Sequence, residues 1–510
     1  MANYIMMMGT SSHVGKSILA TAMCRILYRK GRKVVPFKAQ NMALNSYVTR
    51  DGDEMGRAQV AQAEAAGMEP MVDMNPVLLK PTGNAASQVI IMGKPVGNMS
   101  AREYHRGYSL KAFDAVKEAL GRLDKEYDTI VIEGAGSPAE INLKANDIVN
   151  MRVAKYLQAP VLLIADIDRG GALASLVGTL ELLDEEERAL VKGLVINKFR
   201  GDVTLLTPAI DFLEKKTGKP VLGVVPHIDQ MGIDDEDSVS LEEKQAVPTE
   251  GDIRIAVIQT PKISNFTDFD ALAHEKDVAL YYVKAAEDLG EPDVIMLPGS
   301  KNTTEDMLYL GKSGLGEKIL AHAKAGKAVI GICGGYQMLG EVIRDPQHTE
   351  SQNDEAAGLG LLGMETVFAS EKLTSQVVAQ CQDLHFMGQS ISADNLQGYE
   401  IHMGHTAFTR EADKHPFTVC QRRGTVCASQ EGTANAAGNV FGTYIHGVFD
   451  NDVFRRSVLN AIRHSKGLEA LANTRNVMAE KQKAYEHLAD VVENALDMEK
   501  LYQIMGEKTC

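Results

Sequence analysis

A single cysteine, Cys333, stands where a strand turns into a helix, and its position favours covalent chemistry. The apolar run Ala328–Ile332 leads directly into the motif CGGYQ at 333–337, and apolar residues at helical spacing follow. At such a turn the sulfur projects from the sheet, and the N-terminus of the following helix favours a thiolate. The sequence therefore predicts a nucleophilic cysteine. The alternative is a buried structural cysteine, which is what most cytosolic cysteines are.

A nucleophilic cysteine needs a base, and histidines follow it in glycine-containing segments. His446 leaves the apolar strand pattern GTYIHGVF next to a glycine, which suits a base presented at the end of a sheet. His402 and His405, in the segment GYEIHMGH, compete for this role. The turn LPGSK at 297–301 supplies further N–H groups, so we expect Gly299 and Gly334 to form an oxyanion hole.

A second centre of chemistry lies near the N-terminus, where a glycine-rich loop joins an apolar strand to a helix. The loop GTSSHVGKS at 9–17 is longer by one residue than the usual G-x-x-x-x-G-K-S/T spacing. Backbone N–H groups form an anion nest, the Lys16 ammonium neutralises phosphate oxygens and the Ser17 hydroxyl can ligate Mg²⁺. The sequence therefore predicts an ATP site that includes Gly9, Thr10, Gly15, Lys16 and Ser17.

Two further strand ends add residues to this nucleotide site. The strand Thr129–Glu133 runs into GAGS, which places Glu133 where a second Mg²⁺ ligand is needed. Asn197 ends another strand, and its amide can donate to and accept from a purine edge. The alternatives are a surface glutamate at a turn and a turn-capping asparagine.

The elements that position these residues follow two α/β patterns. Short apolar runs alternate with helical patterns up to about residue 230, and this alternation predicts a parallel sheet covered on both faces. The strands we place there are Tyr4–Met8, Lys33–Phe37, Thr129–Glu133, Val161–Ala165, Leu190–Asn197 and Val221–Val225, with helices such as Lys16–Arg29 and Gly56–Ala66. The second pattern comprises Ile253–Gln259, Val294–Leu297 and Ala328–Ile332, followed by a polar insertion, Asp345–Ala356, and β-rich segments.

These patterns predict a P-loop parallel-sheet domain at 1–231 and a second α/β domain at 253–451. The intervening residues 232–252 are acidic and weakly apolar, which is typical of a linker. Residues 452–510 are expected to form a helical tail that packs on the second domain through an apolar stripe; a partner-binding helix is the alternative. The stripe comprises Tyr485, Leu488, Val491, Val492, Ala495 and Leu501.

Composition narrows the classes of function. The 510 residues carry a formal net charge of -15, which argues against nonspecific nucleic-acid binding because phosphates would be repelled over most of the surface. The six cysteines form no CxxC pair, and no signal peptide precedes the first strand, so we expect a cytoplasmic protein. No apolar run approaches the roughly 20 residues of a membrane helix. The oligomeric state does not follow from these features.

Taken together, these motifs resemble class I glutamine amidotransferases, in the branch that amidates corrin precursors. The N-terminal half is similar to ATP-dependent dethiobiotin-synthetase-like ligases, whose longer loop matches residues 9–17. Over nearly the whole chain to about residue 450, the sequence resembles the cobyric acid synthase family. The segments specific to that resemblance are FKAQNMALNS at 37–46, EMGRAQ at 54–59, NPVLLKP at 75–81 and LPGSKNT at 297–303.

The resemblance implies glutamine- and ATP-dependent amidation in cobalamin biosynthesis. The implied substrate is adenosylcobyrinic acid a,c-diamide, whose b, d, e and g carboxylates become amides of adenosylcobyric acid. It also implies that Cys333 is the nucleophile and His446 its base, and that Ser17, Glu54 and Glu133 lie near Mg²⁺ and ATP.

A polycarboxylate substrate needs local cations, and Lys38, Lys80 and Arg102 are candidates to bind it. The alternative interpretation of each residue is a solvated charge on the protein surface.

One departure concerns the histidine. Most class I glutaminases carry His-x-Glu, but the second position after His446 is Val448. We therefore expect an incomplete triad that works under the control of the ligase half.

Two other functions are open. One is cobyrinic acid a,c-diamide synthase, which the segment KAQNMALN disfavours. The other is a partition-type, nucleotide-switched binding ATPase with an inert glutaminase-like domain, which the intact Cys333 and His446 disfavour.

Overall fold

Buried parallel strands form the centre of each half of the chain. The computed structural model describes residues 2–82, 86–228, 232–233, 251–473 and 475–506. Most of the linker expected at 232–252 lies outside the described residues. The predicted α/β class is confirmed in both halves, each of which has a mainly parallel sheet with helices.

The first unit is built on a sheet with the strand order β12-β11-β10-β1-β9-β2, in which neighbouring strands run parallel. All six strands expected there are present, with ends shifted by two residues at most. The strands are β1 Asn3–Gly9, β2 Val34–Phe37, β3 Gln40–Met42, β4 Ser46–Val48, β5 Glu54–Gly56, β6 Val77–Pro81, β7 Ala86–Ile91, β8 Lys94–Ser100, β9 Thr129–Glu133, β10 Val161–Asp166, β11 Val191–Phe199 and β12 Val221–Pro226. The helices are α1 Lys16–Arg29, α2 Arg57–Ala65, α3 Ala101–Glu103, α4 Ser109–Glu126, α5 Met151–Leu157, α6 Ala172–Leu182, α7 Glu185–Leu190 and α8 Thr207–Thr217.

The second unit has a sheet with the order β15-β13-β16-β18-β26-β25, to which β25 adds antiparallel. A second, mainly antiparallel sheet contains β19 to β24 and a long hairpin, β21–β22. The strands are β13 Ile253–Ile258, β14 Ile263–Ser264, β15 Val278–Val283, β16 Val294–Leu297, β17 Gly299–Ser300, β18 Ala328–Ile332, β19 Val342–Arg344, β20 Glu355–Ala357, β21 Met364–Phe386, β22 Gln389–Phe408, β23 Phe417–Arg422, β24 Thr425–Glu431, β25 Thr433–Ala434 and β26 Val440–Thr443. The helices are α9 Asp270–Ala273, α10 Thr303–Lys312, α11 Leu315–Lys324, α12 Gly334–Leu339, α13 Asp452–Ser465, α14 Val477–Ala495 and α15 Met498–Ile504.

Parallel pairing brings the chemically important loops together at one edge of each sheet. In the first unit β1 lies beside β9, so the glycine-rich loop and Glu133 emerge from neighbouring strands. In the second unit β18 lies between β16 and β26, so Cys333 emerges between the turn after Leu297 and the segment that carries His446. Both arrangements follow the rule that sites form at the carboxyl ends of parallel strands.

The tail divides between the two units, so the prediction that all of it packs on the second domain is wrong. Helix α13 does pack there, but the apolar face of α14 joins the core around α1 in the first unit. Charge complementarity supports this docking: Arg25 and Arg29 of α1 pair with Glu486 and Asp490 of α14. The apolar period fixes which face of a helix is buried, but not which of two apolar surfaces covers it.

The described residues show no disulfide among Cys24, Cys333, Cys381, Cys420 and Cys427. No described helix has the length and apolar character needed to cross a membrane.

The docking of α14 predicts that its apolar contacts stabilise the first unit. We expect Leu488→Ala, at a side chain that is 1% exposed, to lower the free energy of unfolding by about 2–5 kcal/mol. Denaturant unfolding followed by circular dichroism measures this change. Leu205→Ala is the matched control because Leu205 is 78% exposed, and we expect it to change stability by less than about 0.5 kcal/mol. Equal effects of the two substitutions would contradict the docking.

Candidate active site

Cys333 occupies a sharp turn between β18 and α12, as its sequence context predicts. Its φ of 53° lies in the left-handed region, an unfavourable conformation for a non-glycine residue that is often found at functional sites. Gly335 permits the turn, because a Cβ there would lie 2.0 Å from the Leu297 carbonyl oxygen. The Cys333 sulfur is buried and contacts the Ile401 carbonyl oxygen at 3.6 Å.

A buried histidine and a buried aspartate complete the arrangement around the sulfur. Cys333 and His446 line the same pocket, and the sulfur acts electrostatically on the imidazole. Nδ1 of His446 lies 2.7 Å from Oδ2 of Asp268, and the other oxygen of Asp268 accepts a bond from the Gly447 N–H at 2.8 Å. The ring of Tyr399 stacks on the imidazole with centroids 5.1 Å apart. Cysteine, histidine and aspartate therefore lie together in an arrangement typical of a catalytic triad.

The surroundings of His446 favour its protonated form. Burial alone would lower the pKa of this imidazole, but the Asp268 carboxylate and the Cys333 sulfur outweigh burial and raise the pKa to about 10. An imidazolium beside a cysteine favours the thiolate, which is the reactive nucleophile. The charge on His446 thus supports both attack by sulfur and later proton donation to a leaving amine.

The expectation of an incomplete triad is wrong, because Asp268 supplies the carboxylate that the His-x-Glu position lacks. Asp268 precedes His446 by 178 residues and lies on a one-turn helix, Phe266–Phe269. No short spacing links these two positions in sequence. The sequence feature that could have pointed to Asp268 is an acidic residue within the apolar segment FTDF, because an unpaired charge there would be costly to bury.

The other candidate histidines have different surroundings. His402 stacks on Tyr444 with centroids 3.7 Å apart, and burial, with help from the charge of His446, lowers its pKa to about 3. A neutral imidazole at that position borders the pocket without replacing the base. His405 is exposed on β22.

The two glycines expected to form an oxyanion hole lie close to the triad. A Cβ on Gly334 would be 2.7 Å from the Ser300 nitrogen, and a Cβ on Gly299 would be 3.3 Å from Cε1 of His446. Their role as oxyanion donors stays a prediction.

The first unit reaches the triad through Asn265 and Phe266 of the second unit. Nδ2 of Asn265 lies 3.4 Å from Nε2 of His446, and Oδ1 of Asn265 accepts a bond from the Ser46 N–H at 3.0 Å. One residue further along, the Phe266 N–H donates to Oδ1 of Asn45 at 3.2 Å. The segment FKAQNMALNS of the first unit therefore ends against the residues that flank His446 in the second unit.

A buried ion cluster joins the two units next to this contact. Glu54 is 0% exposed, with Oε1 2.9 Å from the Lys80 ammonium and Oε2 2.5 Å from that of Lys372, a residue of β21. Burial alone would raise the pKa of Glu54, but the two ammonium groups outweigh it and lower that pKa below its usual range. Since both carboxylate oxygens are bound by lysines, this arrangement does not fit the Mg²⁺ role expected for Glu54.

The predicted nucleotide site is assembled around Glu133. Its Oε1 accepts bonds from the Ser17 hydroxyl and the Lys38 ammonium, both at 2.8 Å. The Lys16 ammonium donates to the Ser11 carbonyl oxygen at 2.9 Å and to that of Gly136 at 3.3 Å, so it lies across the loop. The Ser17 hydroxyl and the Glu133 carboxylate are hard oxygen ligands of the kind that Mg²⁺ prefers, although Lys38 also binds Glu133, and their role as ligands of this ion stays a prediction.

Asn197 and Thr10 contribute to the shape of the loop. Nδ2 of Asn197 donates to the Val14 carbonyl oxygen at 2.8 Å, next to Gly15, whose φ is 98°. The Thr10 N–H donates to the Ile164 carbonyl oxygen at 2.9 Å, and Gly9 ends β1. The expected base-reading role of Asn197 stays a prediction.

The three cations proposed for a polycarboxylate lie in different surroundings. Lys38 contacts Glu133, Lys80 contacts Glu54, and Arg102 is exposed in α3. The structure therefore does not bring them together as one binding surface, and their role stays a prediction.

Comparisons with known proteins agree with this two-site arrangement. Residues 5–238 match the family described as the CobQ/CobB/MinD/ParA nucleotide binding domain, and residues 254–454 match the CobB/CobQ-like glutamine amidotransferase domain. The cobyric acid synthase of Moorella thermoacetica is 54% identical over 99% of this chain and 98% of the relative. The cobyric acid synthase of Pelotomaculum thermopropionicum is 52% identical over 99% of this chain and 97% of the relative. The cobyric acid synthase of Carboxydothermus hydrogenoformans is 50% identical over 99% of this chain and 100% of the relative.

The triad predicts the effect of Asp268→Asn. We expect the glutaminase kcat to fall on the order of 10²–10⁴-fold, because the amide neither fixes the imidazole nor stabilises its charge. Losing that carboxylate lowers the pKa of His446, so the alkaline limb of the pH–rate profile should move to lower pH. Steady-state release of glutamate from glutamine, measured between pH 6 and 11, tests both statements. An unchanged kcat and profile would rule out Asp268 as the orienting group.

Proposed function

Because the chain belongs to the cobyric acid synthase family, we propose that it uses glutamine and ATP to amidate the b, d, e and g carboxylates of adenosylcobyrinic acid a,c-diamide. The observation that carries this proposal is the presence of two chemically distinct sites in one chain. A cysteine–histidine–aspartate triad stands in the second unit, and a phosphate-binding loop stands in the first. The products are adenosylcobyric acid, glutamate, ADP and phosphate.

In the second unit, the Cys333 thiolate attacks the side-chain amide carbon of glutamine. The C–N bond breaks as the His446 imidazolium gives its proton to the departing nitrogen, which leaves as ammonia and a γ-glutamyl thioester. Water, deprotonated by the neutral His446, then cleaves the thioester to glutamate and restores the thiolate–imidazolium pair. Asp268 keeps the imidazole in the required orientation and stabilises its charge throughout.

In the first unit, a substrate carboxylate attacks the γ-phosphorus of ATP, and the bond to the β-phosphate oxygen breaks. The acyl phosphate that results is electrophilic, so ammonia displaces phosphate and forms the amide. The Lys16 ammonium and the N–H groups of the loop stabilise negative charge on the phosphates. Mg²⁺ held by Ser17 and Glu133 would neutralise phosphate charge when bound.

We also propose the domain limits 1–231, 253–451 and 452–510, with a linker at 232–252, and a cytoplasmic location. The nucleotide-binding and amidotransferase matches support the two-domain division.

The relatives' names support cobyric acid synthesis over the two alternatives. Mass spectrometry of the product from a defined a,c-diamide substrate tests this directly. Four carboxyl-to-amide conversions are expected; an unmodified a,c-diamide, with ATPase turnover independent of corrinoid, would favour the partition-type ATPase. Conversion of cobyrinic acid only to its a,c-diamide would favour the a,c-diamide synthase.

The separation of the two sites predicts the behaviour of Cys333→Ala. We expect glutamine-supported amidation to fall by about 10³-fold or more because the nucleophile is lost. Ammonia-supported amidation should remain, since ammonia enters after the thiol step. Product formation with glutamine or with ammonium chloride measures the two rates, and Cys427→Ala, at a thiol in β24, is the matched control. Equal loss of both activities in a folded protein would refute the two-site scheme.

Lys16→Ala should behave differently. We expect amidation to fall by about 10²-fold or more with either nitrogen source, because both routes need the same phosphoryl transfer. The comparison is with Lys192→Ala, which removes an exposed lysine of β11 and should leave both rates near those of the wild type. Retention of ammonia-supported amidation by Lys16→Ala would contradict the assignment of the loop.

A further inference from the structure

Lys301 is a buried cation beside the triad for which the proposed chemistry gives no role. It lies two residues after Gly299, is 8% exposed and lines the same pocket as Cys333 and His446. Among the residues that the structure describes, none forms a hydrogen bond or a close ion pair with its ammonium group, and the carboxylate that acts on it most strongly by charge is that of Glu350. Burying an ammonium group without a bonded counter-charge is costly, so an anionic group of a ligand at this position would stabilise its charge.

The other lysines of the pocket differ from Lys301 in this respect. The ammonium groups of Lys80 and Lys372 both bind the carboxylate of Glu54. Their charges are therefore compensated within the protein. Of the three described lysines that line the pocket, Lys301 is the one whose ammonium group binds no carboxylate directly.

An acidic residue, Glu350, borders the same pocket, and its loop is held firmly. The buried carboxylate of Asp345 accepts N–H bonds from Thr349 at 2.7 Å, from Glu350 at 2.8 Å and from Ser351 at 2.9 Å. The side chain of Glu350 accepts a bond from the Thr303 N–H at 3.1 Å. The polar insertion at 345–356 thus has a structural purpose: it presents a carboxylate next to the pocket of the thiol.

One pocket therefore contains a nucleophilic sulfur, a cation and an anion. Glutamine carries three matching groups: a side-chain amide to be attacked, an α-carboxylate and an α-ammonium group. We propose that Lys301 binds the α-carboxylate of glutamine and Glu350 binds its α-ammonium group. This inference rests on the proposed function, in which glutamine is the nitrogen donor.

The position of Lys301 adds a consequence for catalysis. Lys301 belongs to the same turn as Gly299 and Ser300, and its N–H is bound to the Lys262 carbonyl oxygen at 2.9 Å. A substrate carboxylate held by Lys301 would therefore be tied to the turn that borders the sulfur. An amide without that carboxylate loses both affinity and orientation.

The test pairs protein variants with truncated amides. The variants are Lys301→Met and Glu350→Gln, and the amides are L-glutamine, 4-aminobutanamide without the α-carboxylate, and 4-carbamoylbutanoate without the α-ammonium group. We expect each variant to raise KM for L-glutamine by at least about 10-fold. Lys301→Met should leave kcat/KM for 4-aminobutanamide within about 3-fold of wild type, because that amide lacks the group which Lys301 binds. Glu350→Gln should do the same for 4-carbamoylbutanoate.

Where a truncated amide reacts too slowly, its Ki against L-glutamine in wild type and variant gives the same comparison. Lys312→Met, at an exposed lysine of α10, is the matched control and should leave KM for L-glutamine unchanged. Ammonia-supported amidation by each variant, with its KM for ATP and corrinoid, reports on folding and on the first unit. These values should equal those of the wild type.

Two results would overturn the assignment. One is an unchanged KM for L-glutamine, or an equal effect of each variant on all three amides. The other is a raised KM for ATP or corrinoid with ammonia as donor, which would place Lys301 or Glu350 in the ligase reaction. Failure of the proposed function itself is distinct, because then the wild type would not amidate the corrinoid with either nitrogen source.

Discussion

The docking of Ile263–Phe269 against the loop of Asn45 and Ser46 is the contact on which the second site depends. This segment carries Asp268, whose carboxylate lies 2.7 Å from Nδ1 of His446, and Asn265, which contacts Nε2 on the other side of the same imidazole. Two hydrogen bonds attach it to the first unit. The geometry of the base is therefore set partly by the ligase half, which gives a physical reason for joining the two activities in one chain.

A buried charge cluster reinforces this contact. Glu54 of the first unit pairs with Lys372 of the second, and both side chains are shielded from water. Separating the units would leave these charges without partners, and breaking a buried ion pair from one side is strongly destabilising. The tail adds a third link, since α13 packs on the second unit and α14 on the first. Together these contacts explain how one edge of the thiol pocket comes from the opposite unit, through Lys80.

Much of the local structure could be predicted because it depends on local patterns. The strands of the first sheet, the helix Lys16–Arg29 and the turn at Cys333 follow from apolar period, glycine placement and the spacing of the phosphate loop. Parallel pairing then places Glu133 beside the loop and His446 beside the thiol, as expected. The ion pairs of Glu54 could not be predicted from local patterns, because its partners come from a distant strand and from the other unit.

The sequence by itself predicted the fold class, the cysteine at the strand-to-helix turn and the two chemical centres, because each of these depends on residues close together in the chain. Only the tertiary structure decided that Asp268 binds His446, that α14 returns to the first unit, and that no described residue forms a close ion pair with Lys301 in the pocket. The physical reason is common to all three. The sequence shows that a buried charge or an apolar stripe needs a partner. Which distant group becomes that partner depends on how the units pack.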